Sequence, residues 1–557
     1  MKGHMTRRVA GAAVAWLALA LPVLAQQAAS IRGTIRDAQG ETIAAATVTV
    51  VNVDTGFQRL AVTGAVGTYA LTQLPLGTYV VTVEAQGFQT LVVQAVELNI
   101  ADVREVSGQL EVGAVTEVVT VEIETVAPAT VGGEVAGLVT GEQVRELPLN
   151  GRNFLQLTQL MPGVVTNDNF NTKDKGLRTG ADMSVGGGRT TGNLFSVDGA
   201  NNNDVGSNRT ILVYPSLEAI EELKIHRNAY GAEFGGASAA QISLVTRGGT
   251  NNLRGSVFYF ARRGSWNETN YILERANVEP DDLSRDDYGF TLGGPFIRDK
   301  LHFFVSTEWN DEVRGAAVSE GVPTAAEKRG DFSQSDPACR PIPVDPLTGQ
   351  PFPENVIPAD RIGEAGYDLM QLYPDANVPG CLNWVTALNV PIDWNQINAR
   401  LDWSITDRAR VMVRYTEDDW QNSTPSGGGA GGLWGDSFPN IDSTFAQPSE
   451  SLVAQLNNVI GTSALNALTF SLSGNEIVID QAGDAALQQQ IWASNPPIFP
   501  AEDKLAYPNT GHPIFWGGGG LSTLLQVSPF FNDLDIMLLK DDYAQVFGKH
   551  LFKAGFR

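Results

Sequence analysis

Apolar and polar residues alternate strictly along Ile397–Ile405: Ile397, Ala399, Leu401, Trp403 and Ile405 fall on one side, and Asn398, Arg400, Asp402 and Ser404 on the other. A period of two sends successive side chains to opposite faces of an extended chain, so the segment predicts a strand with one apolar and one polar face. Such a strand suits a wall between lipid and a wet lumen. Leu301–Trp309 repeats the pattern, with Leu301, Phe303, Val305 and Trp309 opposite His302, Ser306 and Glu308, and with Phe304 breaking the rule. Gly255–Arg262, Asp287–Pro295, Ala409–Glu417, Leu452–Ile460 and Ala467–Gly474 read as further strands, and Tyr543–Phe547 and Leu551–Phe556 as a hairpin about Gly548–His550. Soluble sandwiches alternate as well, but Trp266, Trp309 and Trp420 lie at or near strand ends, where an interfacial aromatic girdle requires them. The Pro-, Gly- and Asp-rich stretch at about 310–393 predicts a large external loop over a pore mouth.

Upstream the pattern is finer. From Ser30 to about Leu110, short β-branched runs are separated by turn signals at Asp37–Gly40, Asp54–Gly56 and Pro75–Gly77, which predicts a small antiparallel sandwich over residues 28–112. A linker at 113–130 follows, then a segment at 131–250 that mixes helical spacing with strands. Gly141–Leu147 and Ser216–Leu223 read as short helices, while Phe195 and Val197 read as a strand that turns at Asp198–Gly199. The remainder, 252–557, carries the long alternating segments. The fold class is therefore mainly β: an N-terminal sandwich, an α+β module, and an antiparallel transmembrane barrel.

Composition narrows the function. A chain of 557 residues exceeds one compact core, and a net charge of -24 repels a phosphate backbone, so nucleic acid is excluded as a partner. Lys2, Arg7 and Arg8 precede an apolar run from Val9 to Leu24, and Val23 and Ala25 supply the small residues of a cleavage site. Residues 1–25 are thus expected to be a signal peptide, with an uncleaved anchor as the alternative. Cys339 and Cys381 are the only cysteines, and an oxidising compartment lets them pair. No zinc spacing occurs, so no metal site or cofactor is expected.

Signals for covalent chemistry are poor. The five histidines are dispersed, and neither a G-x-S-x-G elbow nor a phosphate-binding G-x-x-x-x-G-K-[ST] occurs. Gly427, Gly429 and Gly432 spell G-x-G-x-x-G inside a glycine run that reads as loop. The Asp198–Asp204 cluster offers oxygen ligands for calcium at a spacing unlike an EF-hand. Asp281, Asp282, Asp286 and Asp287 read as a solvated turn. The chain is not expected to be an enzyme.

Three blocks in one order carry a resemblance: LPLNGRNFLQLTQLMPG at Leu147–Gly163, GGGRTTGNLFSVDGANNND at Gly186–Asp204, and YGAEFGGASAAQISLVTRGGTN at Tyr230–Asn251. They resemble the plug domain of TonB-dependent outer-membrane receptors of the Oar-like branch. DDYGFTLGGPFIRDKLHFFVSTEW and PTAAEKRGDFSQ resemble that branch's barrel start and first long loop. The patterns G-T-I-x-D-x-x-G and L-P-x-G-x-Y-x-V-x-V-x-A-x-G-F resemble the carboxypeptidase regulatory-like domain, which has no catalytic residues. The extended segment Glu117–Ile123, and within it Glu117, Val118, Val119, Thr120 and Val121, is similar to a TonB box, which lends its backbone to an edge strand of TonB. The alternative is a last strand of the sandwich. In the resembling plug, charged residues contact the inner wall, and Arg189 and Glu233 are the candidates for ion pairs there.

The resemblance implies energised uptake of an external substrate across the outer membrane, with the sandwich in the periplasm and TonB and outer-membrane lipid as partners. A carbohydrate polymer, a peptide or a siderophore would each suit polar outer loops. A secreted or surface-attached adhesive protein, with the sandwich binding carbohydrate, is the alternative. About nine strands follow Asn252, against roughly 22 in plugged transporters, so the sequence is expected to be a fragment lacking the C-terminal strands.

Overall fold

The computed structural model describes residues 29–113, 118–122, 135–166, 170, 175, 181–206, 208–228, 230–231, 234–278, 282–422, 438–441, 443–461, 464–482, 484, 486–487, 490, 515–525, 530–547 and 550–557. The expected signal peptide, the glycine run at Gly427–Gly432, and Glu117, Ile123, Glu233 and Asp281 lie outside them.

The N-terminal module consists of β1 (Ala29–Asp37), β2 (Thr47–Asn52), β3 (Gln58–Val62), β4 (Thr68–Leu74), β5 (Gly77–Glu84), β6 (Thr90–Leu98), β7 (Val103–Glu105) and β8 (Gly108–Leu110). One sheet runs β4-β1-β7 with β8 also on β1, and the other runs β3-β2-β5-β6 and ends on β9 (Val118–Glu122). Alternate residues point between the sheets. Val48, Val50, Leu74, Tyr79 and Val81 are fully buried there, and each such side chain contributes about 1.5–3 kcal/mol. The sandwich departs from the expected antiparallel form at its edges, where β7 and β8 pair parallel to β1, and β9 parallel to β6.

The middle module is a five-stranded sheet in the order β10-β15-β16-β13-β14, built from β10 (Val135–Thr140), β13 (Leu194–Val197), β14 (Ala200–Asn201), β15 (Ile220–Asn228) and β16 (Gln241–Thr246). A hairpin of β11 (Val164–Thr166) and β12 (Met183–Val185) lies beside it. Helix α1 (Gly141–Glu146) begins at a capping box, in which the Thr140 hydroxyl accepts from Gln143 N–H and the Gln143 side chain reaches back to Thr140 N–H. Helix α2 (Leu155–Thr158) follows. Ser216–Leu223 is not the expected helix: a short 3-10 turn at Leu217–Ala219 gives way to β15, because Ile220, Leu223 and Ile225 face the core between β10 and β16. Tertiary pairing overrides local spacing there.

The remainder is one curved sheet built largely of long antiparallel strands: β17 (Arg254–Arg263), β18 (Leu283–Ile297), β19 (Leu301–Glu320), β20 (Trp384–Thr406), β21 (Ala409–Asn422), β22 (Ser443–Ala446), β23 (Ser449–Ile460) and β24 (Ala464–Gln481). A separate hairpin, β25 (Phe515–Gly518) with β26 (Leu521–Leu525), precedes the last two strands of the curved sheet, β27 (Phe530–Phe547) and β28 (His550–Phe556). The path ends at β17 on one side and β28 on the other, so the sheet is curved but not closed. Register fixes the faces. Phe290, Thr307, Ile397 and Glu417 stand opposite one another on the convex side, and Thr291, Ser306, Asn398 and Thr416 on the concave side. The convex side exposes Val257, Phe290, Leu292, Ile397, Leu401, Trp403 and Met537. An apolar outer band over a polar inner face is what a membrane wall requires.

Aromatic pairs flank that band. Tyr288 stacks on Trp309 at 5.6 Å towards one end, and Phe296 on Phe303 at 4.6 Å towards the other. Trp420 is a correction: its parity on β21 turns it inward, where it is buried against Phe445. Asp286 and Asp287 are not in a turn but on β18, the first facing out beside Arg263 and the second in beside Arg285. The long loop is shorter than expected, 321–383, because β19 and β20 continue past Trp309 and Trp394. It carries helix α3 (Glu364–Gln371), and its Val322, Leu372 and Tyr373 form a small core with Val318 of β19 and Trp384 of β20. A disulfide joins Cys339 to Cys381 within it.

Candidate functional site

The middle module sits against the concave face of the curved sheet, and their seam combines an apolar cluster, in which Val390, Ile392, Trp394, Trp420, Phe445 and Ile479 of the wall join the module's core, with buried polar contacts. Lys175 lies at its centre with a fully buried side chain, its ammonium donating to Leu212 O at 2.7 Å, Asp418 Oδ1 at 2.9 Å, Gln447 O at 3.1 Å and Ser449 Oγ at 3.1 Å. Burial pushes its pKa down, and the Asp418 carboxylate pushes it back up. Asp418 also accepts from Tyr214 N–H at 2.7 Å. One wall carboxylate thus ties two separate loops of the inner module.

Asp198 forms a second node. Its carboxylate accepts from Thr246 N–H at 3.0 Å and Thr246 Oγ1 at 2.7 Å, and it pairs with Arg414 at 3.1 Å and Arg400 at 3.4 Å from the wall. The cluster weighed as a calcium site is therefore occupied by guanidinium groups at its first residue. Asn202 and Asn203 in the same block bond to Val213 and Phe195 main chain and shape the turn.

The third node is Arg152, whose guanidinium lies 4.1 Å from the Phe260 ring centroid and 5.0 Å from that of Phe258, and pairs with Glu308 and Glu218 at 3.5 Å each. Glu308 also accepts from Ser216 Oγ, and Gln396 bridges Ser216 N–H and Tyr214 O. Phe304, the exception in its strand, faces the same seam and carries Arg247 of the inner module at 5.2 Å from its ring centroid. Gly249 ends the module against the wall, where a Cβ would come within 2.3 Å of Phe303 O.

Of the two residues expected to pair with the wall, Glu233 lies outside the described residues. Arg189 follows Gly186 and Gly187, both at positive φ, on an exposed loop, and among the described residues it pairs with no wall carboxylate. Lys175 and Arg152 stand in loops without periodic pattern, so nothing in the sequence singled them out.

Two further features bear on function. At the end of the sheet with the long connections, a cavity of about 980 Å³ opens between Asn150 of the inner module and Arg262, Glu268, Asp282, Glu312 and Arg314 of the wall and its loops. Arg262 reaches Asn150 across it. At the opposite end, β9 holds four of the five residues singled out as a coupling segment, Val118, Val119, Thr120 and Val121. It adds to the edge of β6 in parallel, with Thr90 opposite Val118 and Gln94 opposite Glu122. Val118 and Val119 are exposed, and the described hold on the strand is its backbone pairing with β6.

Residues 245–557 match a family model described as an outer membrane beta barrel domain, and residues 30–111 one described as a carboxypeptidase regulatory-like domain. The chain is 32% identical over 295 residues to the TonB-dependent transporter Oar of Myxococcus xanthus, covering 50% of this chain and 26% of that protein. The match spans about a quarter of that relative's length. Among solved structures it is similar to the siderophore receptor PirA of Acinetobacter baumannii, at 14% identity and a TM-score of 0.41 over 75% of this chain and 47% of that one. It is also similar to the outer membrane transporter YddB of Escherichia coli, at 11% identity and a TM-score of 0.43 over 74% and 45%.

Proposed function

The chain belongs to the outer membrane beta barrel family and is a homologue of TonB-dependent transporters, and on that premise we propose that it takes up a polar external solute by displacement of its inner module, the plug, under a pull from TonB. It resides in the outer membrane and is not an enzyme. The short turns at 298–300 and 407–408 then face the periplasm, with the sandwich beside them, and the long connections face outward.

The observation that carries this reading is the set of buried polar contacts that tie plug to wall beside the apolar cluster they share. A plug that must move has to release its contacts, and hydrogen bonds or ion pairs exchange for water far more readily than a sealed apolar interface. Lys175, Asp198 and Arg152 give three such nodes between plug and wall. The external cavity, lined by guanidinium, carboxylate and amide groups in similar number, suits a neutral or zwitterionic solute rich in hydrogen-bonding groups, such as a carbohydrate or peptide.

Coupling is assigned to β9. An extended segment bound only through its backbone at a sheet edge can move to the edge of another sheet, which is how a TonB box binds. Five residue pairs at roughly 0.5–1.5 kcal/mol per net hydrogen bond make β9 a strand that a competing edge can capture. Deleting Val118–Glu122 tests this: the protein should still assemble in the outer membrane and lose binding to a purified TonB C-terminal domain. Undiminished binding removes the assignment.

A further inference from the structure

We propose that the N-terminal sandwich is a gate on the periplasmic side of the plug: docked, it covers the periplasmic side of a chamber along the plug–wall seam, and undocked, it opens that side to the periplasm. The orientation rests on the membrane-wall reading above; the gating itself rests on two contacts that bracket the chamber.

The first contact is the turn after β2. Asp54 O accepts from Asn251 N–H at 2.8 Å, and the Asp54 carboxylate pairs with Arg254 at 3.5 Å, at the foot of the first wall strand. Gly56 lies at φ +68°, and a Cβ there would meet Asp299 Oδ1 at 2.0 Å, so the turn packs directly on the Asp299 side chain of the β18–β19 connection. Phe57 is buried, with the guanidinium of Arg410 from the wall 5.9 Å from its ring centroid.

The second contact is the corner after β6. Ile100 is fully buried; its N–H donates to Glu222 Oε2 at 2.8 Å and its carbonyl accepts from Lys224 Nζ at 2.6 Å. Asp102 adds an ion pair to Lys224 at 3.4 Å. Glu222 and Lys224 stand two residues apart on one face of β15, so the plug presents a preformed acceptor and donor to one peptide group of the sandwich.

Between these contacts is a cavity of about 180 Å³ lined by Asn52 and Phe57 of the sandwich, Asp198 and Thr246 of the plug, and Arg400 and Asn457 of the wall. The ion pairs that hold Asp198 therefore border a chamber whose periplasmic side is the sandwich itself. Beside the buried Ile100 and Phe57 side chains, the two contacts consist of hydrogen bonds, ion pairs and one cation–aromatic contact, polar interactions common in domain interfaces that open. Because β9 is paired to β6 of the same sandwich, a pull on β9 loads the sandwich as well as the linker to β10.

A cysteine in place of Asn457 reports on the chamber, since Cys339 and Cys381 are already bonded to each other. The full chain in outer-membrane fragments is treated with the small cationic thiol reagent 2-(trimethylammonium)ethyl methanethiosulfonate. Modification of Asn457→Cys should accelerate at least tenfold when Asp54→Ala and Lys224→Ala are added. Deleting residues 29–122 should accelerate it as much, which keeps the test decisive if the docking variant assembles poorly. Equal rates in the intact and deleted chains overturn the gate. Neither TonB nor substrate is present, so a responsive reporter together with undiminished TonB binding by the Val118–Glu122 deletion would leave the gate standing and remove only the coupling assignment.

Discussion

Replacing Lys175 with methionine should loosen the plug without removing any apolar contact. At 2.9 Å and an effective dielectric constant of about 20, the attraction to Asp418 is roughly 6 kcal/mol, most of which offsets the cost of taking both charges out of water. What the substitution reveals is the carboxylate left behind. Asp418 would stay buried with Tyr214 N–H as its remaining plug donor, and stranding one member of a buried pair costs about 3–5 kcal/mol. At about 1.4 kcal/mol per tenfold, local opening of the plug should become roughly a hundred- to a thousandfold or more easier, read as lost amide protection in β13 and β16 by hydrogen-exchange mass spectrometry. Adding Asp418→Asn keeps an acceptor for Tyr214 and removes the stranded charge, so the double variant should recover most of the protection. A change under threefold in Lys175→Met, or a double variant more exposed than the single one, refutes the reasoning.

Three other outcomes follow from the geometry. With Cys339 and Cys381 both replaced by serine, an open loop of 42 residues regains about 4 kcal/mol of chain entropy, so cleavage within 321–383 by a protease added outside should accelerate strongly; an unchanged rate contradicts a stapled cap. Burial pushes Glu222 up to about 8 from 4.5, with Glu221 and Asp102 adding to the rise and the Ile100 N–H and Lys224 opposing it. If undocking hydrates Glu222 and returns it towards 4.5, docking is strongest below about pH 4.5 and weakens as pH rises through about 8, and the Asn457→Cys labelling rate, taken relative to that of the chain lacking residues 29–122 so that thiol ionisation cancels, should rise across that range. A rate that falls across it reverses the sign and rejects the linkage. Leu401→Arg places a charge on the lipid face at a cost of about 2–4 kcal/mol near the midplane, and the heat-modifiable fraction in the outer membrane should drop while Leu401→Ile leaves it intact; equal yields would exclude lipid contact.

The wall was legible wherever one face meets lipid and the other a wet seam, because only there does the period-two pattern appear in pure form. It fades above Trp309 and Trp394, where Val390 and Ile392 turn inward into the plug's apolar cluster and Val318 and Trp384 into the loop's own, so the loop is drawn too long. Phe304 seemed to violate the pattern because an inward aromatic looks like an error until Arg247 is seen against it. Trp420 reads as a girdle residue from its place near a strand end, although its parity with Thr416 and Asp418 on β21 turns it inward. The plug was harder. Its resembling blocks located the module, but Ser216–Leu223 has helical spacing and becomes a strand through partners far along the chain. Lys175 and Arg152 act through tertiary contacts that leave no local trace, whereas Asp198 stands out for its oxygens, weighed against calcium, without the sequence showing that wall arginines hold it.

The account stands or falls on what β9 touches. A photoreactive amino acid in place of Val119, activated in living cells, reports that directly, since Val119 pairs with Leu91 of β6 and keeps its side chain largely exposed. Energised cells should give an adduct with TonB, and cells lacking TonB should give only an internal cross-link to the sandwich. An internal cross-link alone in both, at equal yield, would show that β9 never leaves β6 and would contradict coupling through this strand.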